Sequence, residues 1–395
     1  MEFIKKVLEN GLTILFEKRD VSVTTVMLAS KFGSLYESAE EKGIAHFIEH
    51  LAFKGTTKRC ARDIAFELER VGGSLNAFTE EEETAFHVKL PSEHLELAMD
   101  VIFDIFFNPI YPEEEIKKEG NVICEEIKMY KDSPQRHTLN KIKECLYGEP
   151  FGLFGAGSEK TVCAIKREHI SKTHEKFYSP ENSILCVVGN NKFEDVVRLA
   201  EKLSSKNKFE KANFHKIEFR NEKKMEKRKD VEQANIAIGF HFPFSNNLER
   251  SAAEVFSAIF GEGMSSKLFT EVREKRGLAY AVKSFLEMGK NYSYLVIYIG
   301  TEKAMVEEVI KICLEEFRKM ALISEKELED GKKQVIGNYE VESEASDNNA
   351  LHLIMSEIKG NAEDYYKFKD EIKQVSLEDI KKLAEIKEHA SFVLS

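Results

Sequence analysis

Two histidines and a glutamate in the stretch GIAHFIEHLAFKG, residues 43–55, have the types and spacing of a metal site. His46 and His50 are four residues apart, so on an α-helix both side chains lie on one face and can bind a single ion. Glu49 precedes the second histidine and lies close to the same face. The order H-x-x-E-H is the inverse of the H-E-x-x-H zinc signature, in which two neutral imidazoles bind Zn²⁺ and the glutamate moves the protons of a water molecule. The pattern therefore predicts half of a catalytic zinc site.

A catalytic zinc needs a third protein ligand and one open position. The candidates lie in KKEGNVICEEIKMY, within a helix predicted from Pro112 to about Tyr130. Proline suits the first turn of a helix, and the glutamates that follow it suit the positive end of the helix dipole. Glu119 and Glu126 are seven residues apart on one helix face, whereas Glu125 points elsewhere. Spacing alone does not choose among them.

Composition limits the class of protein. The chain has 395 residues, 42% hydrophobic and 32% charged, which is typical of globular proteins with more than one domain. No apolar run is long enough to cross a bilayer, and the N-terminal stretch lacks the apolar core of a secretion signal, so we expect no membrane partner and no leader. The net charge of −11 argues against a nucleic-acid partner. The six cysteines form no C-x-x-C pair, which favours free thiols and a reducing, cytoplasmic location.

The hydrophobic pattern runs through the same order of elements twice. After the metal helix come a further helix, two strands at 74–79 and 84–90 around the acidic turn Glu80 to Glu83, an apolar helix at 95–107 and the glutamate-bearing helix. A helix predicted at 160–178 follows later in the same half. Within residues 204–232 the apolar periodicity stops and lysines alternate with glutamates, which predicts a solvated connection. The order of elements then begins again: IYPEEEIKKEGNVI from Ile110 and ISEKELEDGKKQVI from Ile323 occupy the same place in the two halves.

The repeated order predicts an α+β fold of two similar, duplicated domains, each an antiparallel-rich β-sheet packed against helices. The predicted parts are a zinc-binding domain at 1–203, the charged connection at 204–232 and a homologous domain without H-x-x-E-H at 233–395. The acidic turn at 80–83 has two interpretations. It is either a solvated hairpin tip or a charged patch that draws basic peptides to the site.

Five ordered motifs resemble the pitrilysin/insulinase family of zinc peptidases, and most closely its short-chain branch, which includes mitochondrial processing peptidases and small bacterial and archaeal enzymes. They extend over nearly the whole chain and read GIAHFIEHLAFKGT, GGSLNAFT, EGNVICEEIKMYKDSP, YSPENSILCVVGN and GEGMSSKLFTEVREKRGLAY. The resemblance implies zinc metalloendopeptidase activity with His46, His50 and Glu126 as ligands. It further implies that Glu119 supports the ligands and that Glu49 is the general base for zinc-bound water.

The resemblance also implies how a substrate binds. In this family a peptide adds as an extended strand to the sheet edge beside the zinc, and Asn76 and Ala77 match that edge. Arg273 and Tyr280 match the arginine and tyrosine that reach the substrate from the opposing domain, with Tyr280 donating to the developing oxyanion. Short-chain members form dimers around a closed chamber, which implies a homodimer with one Zn²⁺ per chain. Some family pairs divide these parts between two different chains, so a heterodimer stays open.

A function of a different class also stays open. Degenerate family members are non-catalytic subunits that bind peptides or stabilise a heteromeric assembly. Such members typically lose ligands, whereas this chain keeps each expected one. The sequence therefore favours the endopeptidase, without specifying its substrate, its cleavage preference or its partner.

Overall fold

A computed structural model of the chain describes residues 2–204 and 215–395. Its strands are β1 (Glu2–Val7), β2 (Thr13–Lys18), β3 (Val23–Ser30), β4 (Ser74–Thr79), β5 (Thr84–Pro91), β6 (Ser183–Gly189), β7 (Lys223–Glu226), β8 (Ala234–His241), β9 (Ala279–Met288), β10 (Ser293–Thr301) and β11 (Ala390–Leu394). Its α-helices are α1 (Ile44–Ala52), α2 (Ala61–Glu69), α3 (Leu95–Phe107), α4 (Glu113–Asp132), α5 (Pro134–Leu146), α6 (Glu159–Ala164), α7 (Arg167–Phe177), α8 (Phe193–Leu203), α9 (Asn247–Gly261), α10 (Val306–Lys319), α11 (Glu325–Glu342), α12 (Ser346–Lys359), α13 (Asp364–Gln374) and α14 (Leu377–Ala384). The predicted connection at 204–232 falls partly on residues 205–214, which lie outside the described residues.

The two β-sheets share one pairing pattern, which shows the duplication directly. The first sheet has the order β1-β2-β6-β3-β5-β4 and the second has the order β7-β11-β8-β10-β9. In the series β2 to β6 and again in β7 to β11, the first strand pairs in parallel with the last, and the other pairings are antiparallel. Strand β1 adds one antiparallel partner to the first sheet. The predicted fold class, α+β with two similar antiparallel-rich domains, is confirmed.

The chain divides into two compact units, each assembled from separate segments. The first comprises Met1–Ile127, Gly155–His215 and Glu342–Tyr365, and the second comprises Lys128–Phe154, Lys216–Val341 and Tyr366–Ser395. Helix α5 thus belongs to the second unit, where it packs on β8 and β11, and α12 belongs to the first, where it packs on β3 and β6. The contiguous domains predicted at 1–203 and 233–395 differ from the units in these segments, because the apolar face of a helix does not specify which sheet it covers.

Each unit has its own apolar core. In the first, α3 packs on β3 and β5, and ten of its thirteen residues are buried. In the second, the core forms around β8 and β10 with α9, α10 and α14. Strand β4 and helix α3 have the bounds that periodicity predicts, whereas the single helix predicted at 160–178 is two helices separated by extended backbone at Ile165 and Lys166.

Two further features concern the cysteines and the helices of the described residues. The six cysteines are free thiols, of which Cys60 and Cys163 are exposed and the other four are buried. None of the helices in the described ranges is long and apolar enough to cross a membrane.

A buried carboxylate fixes the start of the metal helix α1. Glu37 accepts hydrogen bonds from the backbone amides of Gly43, at 3.1 Å, and Ala45, at 2.8 Å. Its counter-charge is Lys42, whose Nζ lies 3.6 Å from Glu37 Oε2, and both side chains are buried. Gly43 has a φ of +100°, and a Cβ there would lie 2.6 Å from the carbonyl oxygen of Ala156, so the position requires glycine. The helix that carries the histidines therefore begins at a defined place in the core.

The turn between β4 and β5 is less solvated than the first interpretation requires. Glu82 and Glu83 are 6% and 4% exposed, and the backbone amide of Ser34 donates to the carbonyl oxygen of Glu80 at 3.0 Å. Burial, with a smaller contribution from the neighbouring charge of Glu82, raises the pKa of Glu83 to about 8. The interpretation as a solvated tip is therefore wrong for Glu82 and Glu83.

Glu37→Gln keeps the shape of the helix cap but removes the negative charge that faces buried Lys42. We expect the free energy of unfolding to fall by roughly 3 kcal/mol, because breaking a buried ion pair by removing one partner costs about that much. Urea denaturation followed by circular dichroism measures the change. Glu40→Gln, at an exposed carboxylate of the same loop, is the matched control, and equal stability of the two variants would contradict the role given to Glu37.

Glu83→Gln tests the buried turn through the pH dependence of stability. Because the pKa of Glu83 is about 8 in the fold and near 4.5 in an unfolded chain, ionisation opposes folding. That cost is absent at about pH 4, grows as the pH rises towards 8 and is then constant. We expect the variant to raise the free energy of unfolding by roughly 2–4 kcal/mol near pH 8.5 and to change it little near pH 4. Denaturant titrations at both pH values check this, with exposed Glu80→Gln as the control, and a gain that is equal at the two pH values would show the assignment to be wrong.

Candidate metal centre

Three side chains of the first unit converge in a group that could hold one metal ion. The ligand atoms of His46, His50 and Glu126 lie within 4.8 Å of one another. Oε2 of Glu126 is 3.7 Å from Nε2 of His46 and 3.6 Å from Nε2 of His50. The histidines come from α1 and the glutamate from α4, so tertiary packing closes the group. The neighbouring Glu125 is exposed and takes no part in the group.

The donor set suits zinc. Two imidazole nitrogens and one carboxylate oxygen form the kind of three-ligand set that leaves a catalytic zinc one open position, with metal–ligand distances of about 2.0–2.2 Å. Separations of 3.6 and 3.7 Å between the donor atoms allow one ion to contact all three. Within the described ranges, no second group of three His, Cys, Asp or Glu side chains converges in this way.

Glu119 fixes the orientation of His50. Its Oε2 lies 3.1 Å from Nδ1 of His50, and its Oε1 accepts from Nζ of Lys54 at 2.8 Å. When Nδ1 donates to the carboxylate, Nε2 keeps the lone pair that a metal binds. Glu119 and Glu126 both face the histidines, as their seven-residue spacing on α4 indicates. No spacing rule singles out Lys54, because it reaches Glu119 only when α1 and α4 are packed together.

Electrostatics favour the neutral form of one histidine. Burial, helped by the nearby His50 and opposed by Glu126, lowers the pKa of His46 to about 4. Nδ1 of His46 is also buried and makes no hydrogen bond to any described residue. For His50 burial acts in the same direction, but hydrogen bonds to Glu126 and Glu119 outweigh it and raise the pKa. At neutral pH His46 therefore presents an uncharged imidazole, the form that binds a metal.

Glu49 lies on α1 directly before His50 and is half-buried. Thr79, the last residue of β4, donates from Oγ1 to Oε2 of Glu49 at 2.6 Å. Burial raises the pKa of Glu49, and the hydrogen bond from Thr79 opposes that shift. A carboxylate with a raised pKa is suited to proton transfer near neutral pH. Thr79 lies in the motif GGSLNAFT, yet its residue type and position give no sign of this contact.

Strand β4 is an edge of the first sheet and contacts α1. Asn76 and Ala77 lie in the middle of this strand, Asn76 exposed and Ala77 half-buried. On its outer side β4 pairs with no strand of the described structure, so its main chain has room for an added strand. An edge strand beside the metal helix is where an extended peptide could bind by β-augmentation.

Arg273 and Tyr280 belong to the second unit, where they contact each other. The Arg273 guanidinium carbon lies 5.2 Å from the ring centroid of Tyr280 and 4.8 Å from that of Phe269, within the range of cation–π contacts. Arg273 lies in a π-helix, Phe269–Glu274, a rare form that is frequent at functional sites. Tyr280 is 80% exposed near the start of β9, an edge strand of the second sheet. The sequence does not single out Phe269, whose ring supports the arginine.

The family models match both halves of the chain. The model described as Insulinase (Peptidase family M16) matches residues 13–153, and the model described as Peptidase M16 inactive domain matches residues 164–335. A relative in Rickettsia felis, named an uncharacterized zinc protease, is 38% identical over 84% of this chain and 81% of its own length. A relative of the same description in Bacillus subtilis is 33% identical over 84% of this chain and 82% of its own.

Solved structures share the fold. A protease from Helicobacter pylori aligns with a TM-score of 0.90 at 22% identity, over 100% of this chain and 99% of its own. A peptidase M16 inactive domain from Pseudomonas fluorescens aligns with a TM-score of 0.91 at 18% identity, over 100% of this chain and 98% of its own. The family models together cover more than half of the residues, and the relatives extend over most of both chains. The chain therefore belongs to the insulinase family, peptidase family M16.

Proposed function

We propose that the chain is a zinc metalloendopeptidase that cleaves peptides or unfolded segments and binds one Zn²⁺ through His46, His50 and Glu126. The observation that carries this proposal is the convergence of these three ligands beside Glu49, in a chain whose relatives are named zinc proteases. Zinc bound there would act as a Lewis acid that polarises a water molecule and the scissile carbonyl group. The remaining steps are carried out by side chains of this protein.

Glu49 moves the protons in the proposed reaction. Its carboxylate takes a proton from the attacking water at Oε1, the oxygen that Thr79 does not occupy. The oxygen of that water forms a bond to the carbonyl carbon, the C–N bond breaks, and Glu49 returns the proton to the leaving amine. Glu119 keeps His50 in the orientation and tautomer that the site requires.

Substrate contacts are proposed on two edge strands. The peptide pairs with the main chain of β4 at Asn76 and Ala77, which lie on an edge with room for an added strand. The Tyr280 hydroxyl donates a hydrogen bond to the developing oxyanion, and Arg273 contacts the peptide. The exposure of Tyr280 and its stacking with Arg273 support this part of the proposal.

We further propose that the active form is a homodimer with a chamber, in which Arg273 and Tyr280 of one subunit serve the zinc site of the other. One chain contains both sets of residues, which supports identical subunits. A partner with a different sequence is the alternative outcome. Identical subunits make a simple mixing experiment decisive.

Glu49→Gln removes the proton acceptor and keeps the ligands, so we expect unchanged zinc content and a loss of turnover of about 100-fold or more. His50→Ala removes a ligand, so zinc and turnover are both lost. Zinc is measured by elemental analysis, and cleavage by mass spectrometry of a peptide mixture with and without a chelator. Glu125→Gln, at an exposed residue beside Glu126, is the control expected to match wild type.

Normal cleavage by Glu49→Gln would contradict the proton-transfer role. A wild-type chain that binds zinc but cleaves none of the peptides would favour the non-catalytic subunit instead. A chain that binds no zinc would contradict the site itself.

Mixing two inactive variants tests whether sites are shared between subunits. Glu49→Gln lacks the base and Tyr280→Phe lacks the oxyanion donor, so each alone is impaired. If the tyrosine acts across the dimer, a mixed dimer contains one site with both residues intact, and an equimolar mixture regains about one quarter of wild-type activity. The mixture is refolded or co-expressed, and its activity is compared with that of each variant alone.

The control for the mixing experiment is Glu49→Gln combined with the double variant Glu49→Gln, Tyr280→Phe, in which no site holds the base. That mixture stays inactive. If the first mixture also stays inactive although mixed dimers form, the tyrosine does not act across the dimer. If the chain is monomeric by light scattering, the homodimer proposal is wrong.

A further inference from the structure

Thr79 holds the carboxylate that is assigned as the general base. Its Oγ1 donates to Oε2 of Glu49 at 2.6 Å, the short distance expected when a hydroxyl donates to an ionised carboxylate. Thr79 ends β4 and Glu49 lies on α1, so this contact joins the sheet edge to the metal helix. Across residues 2–204 and 215–395, the Glu49 carboxylate makes no further hydrogen bond to the protein.

The hydroxyl proton of Thr79 has one close acceptor. The alternative is Oγ1 of Thr84, directly across the β4–β5 pair, at 3.4 Å. Thr84 itself donates to the carbonyl oxygen of Phe32 at 2.9 Å. A distance of 2.6 Å against 3.4 Å directs the Thr79 proton to Glu49. Threonine is stiff about χ1 and its backbone is paired in the sheet, so the sheet sets the position of the hydroxyl.

We propose that Thr79 is a positioning residue for the endopeptidase reaction, an inference that rests on the proposed function. By holding Oε2, Thr79 gives the carboxylate one orientation and leaves Oε1 to accept the proton of water. A small displacement of a catalytic group slows a reaction steeply, because much of the rate enhancement comes from holding the reacting groups in the correct geometry. Strand β4 also carries Asn76 and Ala77. One strand therefore binds the peptide and orients the base.

Thr79→Val removes the hydroxyl and keeps the shape of the side chain, whereas Thr79→Ser keeps the hydroxyl. We expect Thr79→Val to lower kcat about 10–100-fold, with KM changed less than about twofold and with wild-type zinc content. Thr79→Ser restores kcat to within about threefold of wild type, because the donor is present again. In the Glu49→Gln background, Thr79→Val has no further effect, since the two residues act as one unit. Thr57→Val, at an exposed threonine of the same unit, is the matched control.

Wild-type kcat in Thr79→Val, or equal loss in the valine and serine variants, would overturn the proposal. Crystal structures of both variants give a readout that does not depend on activity. The Glu49 carboxylate is expected to lose its single orientation in Thr79→Val and to keep it in Thr79→Ser. An unchanged carboxylate in the valine variant overturns the inference. Failure of the endopeptidase proposal is recognised separately, by absence of cleavage in the wild-type chain and the Thr57→Val control.

Discussion

The packing of α4 beside α1 is the constraint on which the site depends, because the histidines lie on one helix and Glu119 and Glu126 lie on the other. Gly120 on α4 faces Phe47 on α1, and a Cβ at that glycine would lie 3.4 Å from the phenylalanine ring. Phe47 follows His46 and Gly120 follows Glu119 in the chain, so this van der Waals contact joins the two helices next to a candidate ligand and its supporting carboxylate. The metal group is thus a consequence of how two helices pack.

The start of α1 is determined by a different interaction. The buried Glu37 carboxylate accepts from two backbone amides at the N-terminus of this helix, where the helix dipole favours a negative charge. Lys42 compensates the charge of Glu37 inside the core. The histidines follow within two turns of this cap, so the cap limits how far α1 can shift against α4. The capped first helix and the second helix packed beside it together set the separations of the donor atoms.

The duplicated sheets place the candidate substrate contacts in equivalent positions. Strand β4 in the first sheet and β9 in the second are both edge strands. The first pairs with β5 and the second pairs with β10, which have the same place in the two repeats. Asn76 and Ala77 lie on β4, and Tyr280 lies on β9. The two copies have diverged in chemistry: one carries the candidate metal group, and the other carries an arginine in cation–π contact with two aromatic rings. Duplication of one fold has thus supplied one edge strand beside the candidate metal group and a second edge strand that carries Tyr280 in contact with Arg273.

The sequence alone determined what depends on short-range spacing. Periodicity predicted the bounds of β4 and α3 and the repeated order of elements, because the apolar face of an element is encoded within it. The four-residue spacing of His46 and His50 likewise placed both on one helix face. The resemblance to a family chose Glu126, which spacing left undecided.

Tertiary structure decided everything that depends on residues distant in the chain. It joined Thr79 to Glu49 and Lys54 to Glu119, and it assigned α5 to the second sheet and α12 to the first. It also buried Glu83, which its polarity alone would place in solvent. The physical reason is the same in each case. A local pattern shows that a helix face will be buried or that a polar side chain needs a hydrogen-bond partner. Which sheet covers the face, and which residue supplies the hydrogen bond, is decided only when whole helices and strands pack together.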